Sequence, residues 1–285
     1  MMINEDQDVE RRLYNEKRKW QVYLLLVLCA AVTVCPFIWM ILTSFKSYEE
    51  SIQIPPTILP KIFTVESYQE IVAKFPFLSF YINTFLVLIF TIVIELLICS
   101  MAAYAFARLN FPGRDVIFIV LLALLMVPGQ IFLVPNYEIM VKLHLADTVT
   151  ALWIPKIFSA FGTFMLCEFF KGLPKSLDEA AMLDGCGFFQ IYYKILLPLL
   201  KPALSSLAIL TGISTFKDLM WPLIVNNSME KMTLSAGLAM LIGEHTTYYP
   251  QVMAGGIIAI LPMIVLFFFF QKQFVEGIAT TGVKQ

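Results

Sequence analysis

The sequence KGLPKSLDEAAMLDGCGFFQIYYKILLPLLKP, residues 171–202, is a polar segment between two long apolar runs. Ser176 followed three residues later by Glu179 has the spacing of a capping box, with Ser176 as the N-cap. The two alanines after Glu179 favour helix, and Gly185 suits the first position beyond a helix C-terminus. The segment therefore predicts a short helix that begins at Ser176 and ends before Gly185.

A second short helix is predicted from Gly187 to about Leu196, and Pro198 and Pro202 are expected to end it. An exposed amphipathic helix with small residues is suited to fit into a cleft of a partner. Apolar side chains in this segment are costly to leave in water, which predicts that a partner or the rest of the loop covers some of them: Met182, Leu183, Phe188 and Phe189. The alternative is an ordinary solvated loop between two membrane spans.

Composition places the chain among integral membrane proteins. Hydrophobic residues make up 59% of the 285 positions and charged residues only 14%. The five cysteines form no C-x-x-C pair and there are only two histidines, so no metal site is expected. No phosphate-binding loop of the G-x-x-x-x-G-K-[ST] type and no nucleophile–base pair is visible, so we expect neither an enzyme nor a bound cofactor.

The predicted fold is all-α, a polytopic membrane protein with six transmembrane helices, because six apolar runs reach the length of about 20 residues that a span requires. The spans are predicted at residues 20–42, 77–101, 116–136, 148–170, 203–225 and 252–271. Within the third, Pro128-Gly129 predicts a kink or break.

Positive charges predict the orientation. Of the 20 Lys and Arg residues, 13, including all five Arg, lie in segments that share one side if the N-terminus is cytoplasmic. The chain is then divided into a cytoplasmic tail, a first span, an extracellular loop and a core that holds spans 2 to 6. In residue numbers these are 1–19, 20–42, 43–76 and 77–285, the core including a cytoplasmic loop at 171–202 and a cytoplasmic tail at 272–285.

Ionisable residues inside predicted spans are expensive and normally face a cavity or a partner. These residues are candidates for a translocation path or a contact between subunits: Glu95, Lys156, Lys217 and Asp218. The alternative is that the lysines extend to the interface and that Asp218 pairs locally.

The central segment resembles the EAA loop of permease subunits of binding-protein-dependent ABC importers. The resemblance lies in Glu179-Ala180-Ala181, Asp184-Gly185, the Ile-Leu-Leu-Pro run at 195–198, and Pro202. It implies that the helix between spans 4 and 5 docks in a cleft of an ATPase subunit, where Glu179 is placed to pair with an arginine. The implied coupling residues are Glu179, Ala180, Ala181, Met182, Asp184, Gly185 and Phe188.

Two further stretches resemble carbohydrate permeases of the same superfamily. Residues 101–114, MAAYAFARLNFPGR, resemble the end of their second span, and residues 274–284 resemble the C-terminal tail of the smaller, maltose-type subunit. The resemblance implies oligosaccharide uptake by alternating access. Phe216 and Lys217 depart from the family pattern, and glycerol phosphate or another small polar solute stays an alternative substrate. An ion-coupled secondary transporter is a more distant alternative.

The polar tip of the last external loop carries residues that, by the same resemblance, reach into a binding protein: Glu244, His245, Tyr248 and Tyr249. Simple solvation of this tip is the alternative.

The resemblance also implies the partners and the location. The partners are a second homologous permease subunit, an ATPase dimer that binds ATP and Mg, a lipid-anchored or periplasmic solute-binding protein, and the lipid bilayer, with no nucleic acid. The location is a bacterial cell membrane, crossed several times.

Overall fold

The computed structural model describes residues 3–242, 247–262, 264 and 268, with side chains from residue 19 onward. The described residues contain helices and no strand, which confirms the all-α prediction for this part of the chain. They fall into two compact units, Met1–Ile71 with Leu241–Ile258, and Val72–Met240 with Ala259–Gln285.

The helices in chain order are α1 (Ile3–Ser44), α2 (Tyr48–Ser51), α3 (Glu66–Lys74), α4 (Phe77–Arg108), α5 (Arg114–Leu124), α6 (Leu133–Lys142), α7 (Val149–Trp153), α8 (Ala160–Gly172), α9 (Ser176–Leu183), α10 (Phe188–Gln190), α11 (Leu197–Leu199), α12 (Lys201–Lys217), α13 (Met220–Val225), α14 (Leu234–Ala239) and α15 (Tyr249–Pro262). Turns of 3-10 helix lie at Gly129–Phe132, Ile154–Lys156 and Met229–Lys231, and a π-helix at Ile191–Leu196.

In the first unit, α1 is longer than the predicted span, because the helix extends through the predicted tail to Ile3. Beyond its end, Lys46 is 2% exposed, lies 4.9 Å from the ring centroid of Trp39 and donates to the carbonyl of Thr57. The Thr57 hydroxyl donates in turn to Glu50 Oε1 at 2.8 Å. Charged and polar side chains thus fold the predicted extracellular loop onto the end of α1.

In the second unit, α4 packs against α7, α8, α12 and α14. Its first turns carry buried polar side chains that fix a distant loop. The Asn83 amide donates to the carbonyls of Glu230 (2.7 Å) and Met232 (2.9 Å), and the hydroxyl of Thr84 accepts from the backbone of Leu234 (2.8 Å). Because their partners are backbone groups, these contacts also satisfy the peptide groups that precede α14.

Several of the predicted spans correspond to two helices with a bend between them. By length and composition, two described helices suffice to cross a membrane, Lys19–Ser44 and Phe77–Arg108, or up to five spans if each bent pair counts as one. The break predicted at Pro128-Gly129 is confirmed, and it is a bend of 98° between Arg114–Leu124 and Gly129–Lys142. The number six stays a prediction, and the last predicted span, 252–271, lies partly outside the described residues.

The predicted fifth span, 203–225, consists of two helices. α12 ends at Lys217, and Asp218 is extended (φ −67°, ψ 117°) before α13 begins at Met220. The physical reason is a long-range ion pair: the Asp218 carboxylate binds Lys156, and its other oxygen accepts from the backbone of Trp221 at 3.3 Å. The predicted fourth span is also bent, by 45°, between Val149–Lys156 and Ala160–Gly172.

We predict that Gly237→Ala destabilises the second unit. A Cβ at Gly237 would lie 2.3 Å from Cε2 of Phe80, a ring that is fully buried and has no space to move into. Such overpacking costs about 1–3 kcal/mol. A lower melting temperature of the detergent-solubilised protein is therefore expected. Gly172→Ala is the control, since its Cβ would meet nothing within 4 Å. Equal melting temperatures of the two variants would contradict the packing described.

Candidate functional site

The central helix α9 does not begin as predicted, and the prediction of a capping box formed by Ser176 and Glu179 is wrong. Lys175 already has helical dihedral angles (φ −64°, ψ −24°), and no side chain caps the helix. The carbonyl of Lys175 accepts from the backbone N–H groups of Asp178 (3.0 Å) and Glu179 (3.1 Å). Because the chain enters the helix one residue earlier, the exposed Glu179 carboxylate is not used in capping.

The end of α9 follows the prediction. Gly185 has φ +81°, the left-handed conformation that glycine adopts without steric cost. The backbone N–H of Cys186 donates to the carbonyl of Ala181 (2.9 Å), and that of Gly185 donates to Met182 (3.0 Å). These two bonds form a Schellman motif, so the last carbonyls of α9 are satisfied without a partner.

The second predicted helix, 187–196, is longer than expected, because Pro198 does not end it. Helical structure continues from Phe188 through the π-helix to Leu199. Pro198 lies in the first turn of α11, where its missing N–H is tolerated after the wider π turn. The next helix begins at Lys201, bent by 77° from the preceding one, with Pro202 in its first turn.

A buried ion pair joins α9 to the end of α4. Arg108 Nε lies 3.3 Å from Asp178 Oδ2, with side chains 5% and 11% exposed. Arg108 Nη2 also donates to the carbonyl of Leu173 at 2.8 Å, just before α9. The guanidinium therefore holds both the entry to the helix and its first turn.

Two tyrosines extend this attachment to the second half of the loop. The Tyr104 hydroxyl donates to the carbonyl of Phe188 at 3.0 Å, and the hydroxyls of Ser100 and Tyr192 are 2.7 Å apart. The tyrosine rings have centroids 5.4 Å apart. Ala181, Ile191, Tyr192 and Leu196 belong to the same apolar cluster as residues of α4, α8 and α12. The loop is thus part of the core of the second unit rather than a solvated connection.

The residues that make this attachment were not predicted from the sequence: Ser100, Tyr104, Arg108, Asp178 and Tyr192. A signal was present, since Arg108 is a charge at the end of a long apolar run and Asp178 lies within the polar segment. Their pairing spans 70 positions, however, and no local pattern predicts it.

The predicted coupling residues divide between two surfaces. Ala181 is 4% exposed and faces the core, whereas Met182 (48%) and Phe188 (59%) are exposed. The other four are also exposed: Glu179, Ala180, Asp184 and Gly185. Leu183 and Phe189 continue the exposed surface, at 89% and 64%. The apolar surface that the sequence analysis expected to be costly in water is therefore present around α9.

Lys156 and Asp218 form a second candidate site. The structure pairs them at 2.5 Å, with side chains 24% and 20% exposed. They line a cavity of about 310 Å³ together with Gly129, Gln130, Asn136, Pro155 and Trp221. Three helix breaks, at 125–128, 157–159 and 218–219, lie at or next to a residue of this cavity, whereas the 77° bend at Leu200 does not. Leu133 and Met220 also line it, so irregular backbone and a charged pair converge on one cavity that has an apolar as well as a polar lining.

The remaining two ionisable candidates lie elsewhere. Glu95 is 5% exposed on α4, where the hydroxyls of Thr211 and Ser159 hydrogen-bond to its carboxyl group. Lys217 is exposed at the end of α12. The structure thus brings two of the four predicted residues together and separates the others.

In the predicted binding-protein loop, Glu244 and His245 lie outside the described residues, as does the tail motif at 274–284. Tyr248 and Tyr249 are each about half exposed, at 47% and 48%. The ring of Tyr248 packs against that of Tyr48, with centroids 4.9 Å apart. Tyr249 is the first residue of α15.

Asp147 was also missed by the sequence analysis. It accepts hydrogen bonds from the backbones of Asn227 (3.0 Å) and Ser228 (2.9 Å) and from the Ser228 hydroxyl. The hydrogen bonds from Ser228 and Asn227 outweigh the effect of burial and lower the pKa of the Asp147 carboxyl below its ordinary value. Among the described residues, no group of His, Cys, Asp and Glu side chains could hold a metal ion.

Bent apolar helices that line a cavity with an ion pair, and an exposed helix attached to α4, are features expected of a membrane transport protein. The family model for the binding-protein-dependent transport system inner membrane component matches residues 96–280, and the chain belongs to this family. It is therefore a multi-pass membrane protein, and the resemblance to ABC importer permeases is confirmed.

Named relatives span nearly the whole chain. The arabinooligosaccharides transport system permease protein AraQ of Halalkalibacterium halodurans is 34% identical over 268 residues, covering 93% of this chain and 96% of the relative. The sn-glycerol-3-phosphate transport system permease protein UgpE of Brucella suis is 30% identical, covering 91% and 95%. A bacterial ABC transporter involved in the import of the acidic polysaccharide alginate shares the fold, with a TM-score of 0.76, 24% identity and coverage of 88% and 94%.

We predict that Asp178→Ala strongly destabilises the protein, because it leaves the buried Arg108 guanidinium without its carboxylate. Breaking a buried pair in this way costs about 3–5 kcal/mol. The expected result is a large drop in the melting temperature of the solubilised protein, whereas Asp184→Ala, an exposed carboxylate of the same loop, changes stability by no more than about 0.5 kcal/mol.

The double variant Arg108→Met with Asp178→Leu removes both charges and is expected to recover most of the lost stability. No recovery, or an equal effect at Asp184, would contradict the assigned role of the pair.

Proposed function

We propose that this chain is a permease subunit of an ATP-driven importer that takes up a sugar, specifically an oligosaccharide, by alternating access. The observation that carries the proposal is the central helix α9, which is rooted in the transmembrane core by Arg108 and Asp178 and exposes an acidic and apolar surface. A rigid attachment of this kind transmits a push on α9 directly to α4.

In this proposal the energy for transport comes from a separate ATPase dimer that binds ATP and Mg. Each of two homologous permease subunits offers its central helix to one ATPase copy. Closure of the dimer moves the two helices together and opens the pathway outward, where a lipid-anchored or periplasmic binding protein delivers the solute. Because α9 contacts the open and closed ATPases differently, ATP binding and permease conformation are coupled. The tip with Glu244, His245, Tyr248 and Tyr249 is assigned to the binding protein.

The coupling surface is assigned to Glu179, Ala180, Met182, Asp184, Gly185 and Phe188, with Ala181 as the residue that packs beneath it. Glu179 supports this assignment because its carboxylate is exposed near the positive end of α9 and is not used in capping. An arginine of the ATPase is the fitting partner.

The oligosaccharide assignment is supported by the AraQ relative, which is named for arabinooligosaccharides. The second candidate is a glycerol phosphate, because UgpE covers the chain almost as fully at only slightly lower identity. Uptake assays with both classes of labelled solute, in vesicles that contain the matching binding protein, separate the two. An ion-coupled mechanism would show uptake without ATP.

We predict that Glu179→Lys abolishes ATP-driven uptake while the protein still inserts into the membrane. The loss of a charge-assisted hydrogen bond, worth about 1.5–3 kcal/mol, weakens attachment of the ATPase by roughly ten- to a hundredfold. Uptake into vesicles and co-purification of the ATPase measure the two effects. Glu138→Lys, an exposed charge reversal on α6, is the control. Normal uptake by the Glu179 variant would overturn the proposed coupling.

The translocation path is assigned to the cavity with Lys156 and Asp218. We predict that Asp218→Asn lowers uptake by about tenfold or more, because Lys156 is left without its carboxylate inside a partly enclosed site. The charge swap Lys156→Asp with Asp218→Lys is expected to have the melting temperature of the wild-type protein but not its uptake. If the swap restored uptake as well, the pair would be only structural and this assignment would fail.

A further inference from the structure

A cavity of about 300 Å³ lies beside the root of the central helix and is not used in the proposed transport cycle. Four cationic side chains from separate parts of the second unit line it: Arg108 at the end of α4, Arg114 at the start of α5, Lys171 near the end of α8, and Lys175 just before α9. Asp115 is the acidic residue of the lining. Cations brought together from four segments are unfavourable unless an anion joins them.

The acidic neighbours of the cavity neutralise these cations only in part. Arg114 pairs with Asp115 at 2.9 Å, but that carboxylate is 81% exposed. Lys171 pairs with Glu168 at the surface, and Arg108 forms an ion pair with Asp178. Within the part of the chain that the structure describes, Lys175 forms no ion pair. The first turn of α5 adds the positive end of a helix dipole.

The same cavity has an apolar side. The rings of Phe106 and Phe118, which also line it, have centroids 5.3 Å apart. Next to this apolar side, the outer surface of α5 is apolar and exposed. The exposed fractions are 67% for Val116, 64% for Ile119 and 58% for Val120. The cavity therefore has a cationic part at the ends of apolar helices, and this part borders an exposed apolar strip along α5.

This combination suits one kind of ligand. We propose that the cavity binds the phosphate headgroup of an anionic phospholipid, whose acyl chains lie along the exposed surface of α5. Phosphate bound by Arg114, Lys171 and Lys175 brings together the ends of α5 and α8 and the residue that precedes α9. On the cytoplasmic side, where the transport proposal places this loop, anionic lipids attract such basic sites. The occupied site stabilises the base from which the central helix is presented.

The test uses the full chain in its assembled importer, purified in detergent and depleted of lipid. Phosphatidylglycerol and phosphatidylcholine with identical acyl chains are titrated, and bound lipid is counted by native mass spectrometry alongside the melting temperature. Phosphatidylglycerol is expected to bind and to raise the melting temperature, and phosphatidylcholine is expected to bind at least about tenfold more weakly.

The pocket variant is Arg114→Gln with Lys175→Gln, for which phosphatidylglycerol affinity should fall by roughly tenfold or more. Lys194→Gln with Lys201→Gln is the matched control, since both lysines are exposed in the same 171–202 segment and lie outside the cavity. Its affinity should stay at the wild-type level. Unchanged melting temperatures of both variants without lipid show that neither has unfolded; a pocket variant that melts early is replaced by the single variant Lys175→Gln.

Three results would overturn the proposal. Equal binding of the two lipids, or an equal loss in the control variant, would show that no specific headgroup site exists. Binding of inorganic phosphate or glycerol 3-phosphate as tightly as phosphatidylglycerol would assign the cavity to a soluble phosphate. Binding of phosphatidylglycerol only after removal of the ATPase would assign the cavity to the protein interface.

Discussion

A guanidinium group cannot be buried without a carboxylate or an equivalent set of acceptors, and Arg108 is 5% exposed. Arg108 forms an ion pair with Asp178 and donates a hydrogen bond to the carbonyl of Leu173, and these two contacts fix the position of α9 relative to the end of α4. The hydroxyl of Tyr104 fixes the following helix in the same way. α4 is also the helix against which α7, α8, α12 and α14 pack. The segment with α9 is therefore attached to the central helix of the second unit.

A second constraint acts on the broken helices. Backbone groups that lose their helical partners are tolerated at membrane depth only where they line a cavity or are buried in protein. The cavity at Lys156 and Asp218 is where three such breaks are found, and Asp218 itself accepts from the backbone of Trp221. The irregular backbone at 218–219 and the charged pair therefore lie at the same place, where the Asp218 carboxylate contacts both Lys156 and the backbone that begins α13.

Local rules predicted the parts of the structure that depend on neighbouring residues. The helix α4 begins at Phe77, where the second span was predicted to begin, and Gly185 ends α9. The failures have long-range causes. The break at Asp218 depends on Lys156, 62 positions away, and the anchor of α9 depends on Arg108. The capping box failed for a local reason, since Ser176 and Glu179 have the right spacing but Lys175 is already helical.

An isolated helix of eight residues is unstable in water, because its few hydrogen bonds do not offset the unfavourable free energy of helix nucleation. In this chain α9 is held by Asp178 at its start and by the Schellman motif at its end. Residues 178 and 181 face the core, and the positions between and after them face outward. A partner that binds this outward surface therefore meets a preformed helix and pays little of the ordering cost that a flexible loop would impose. The buried ion pair connects that surface to α4.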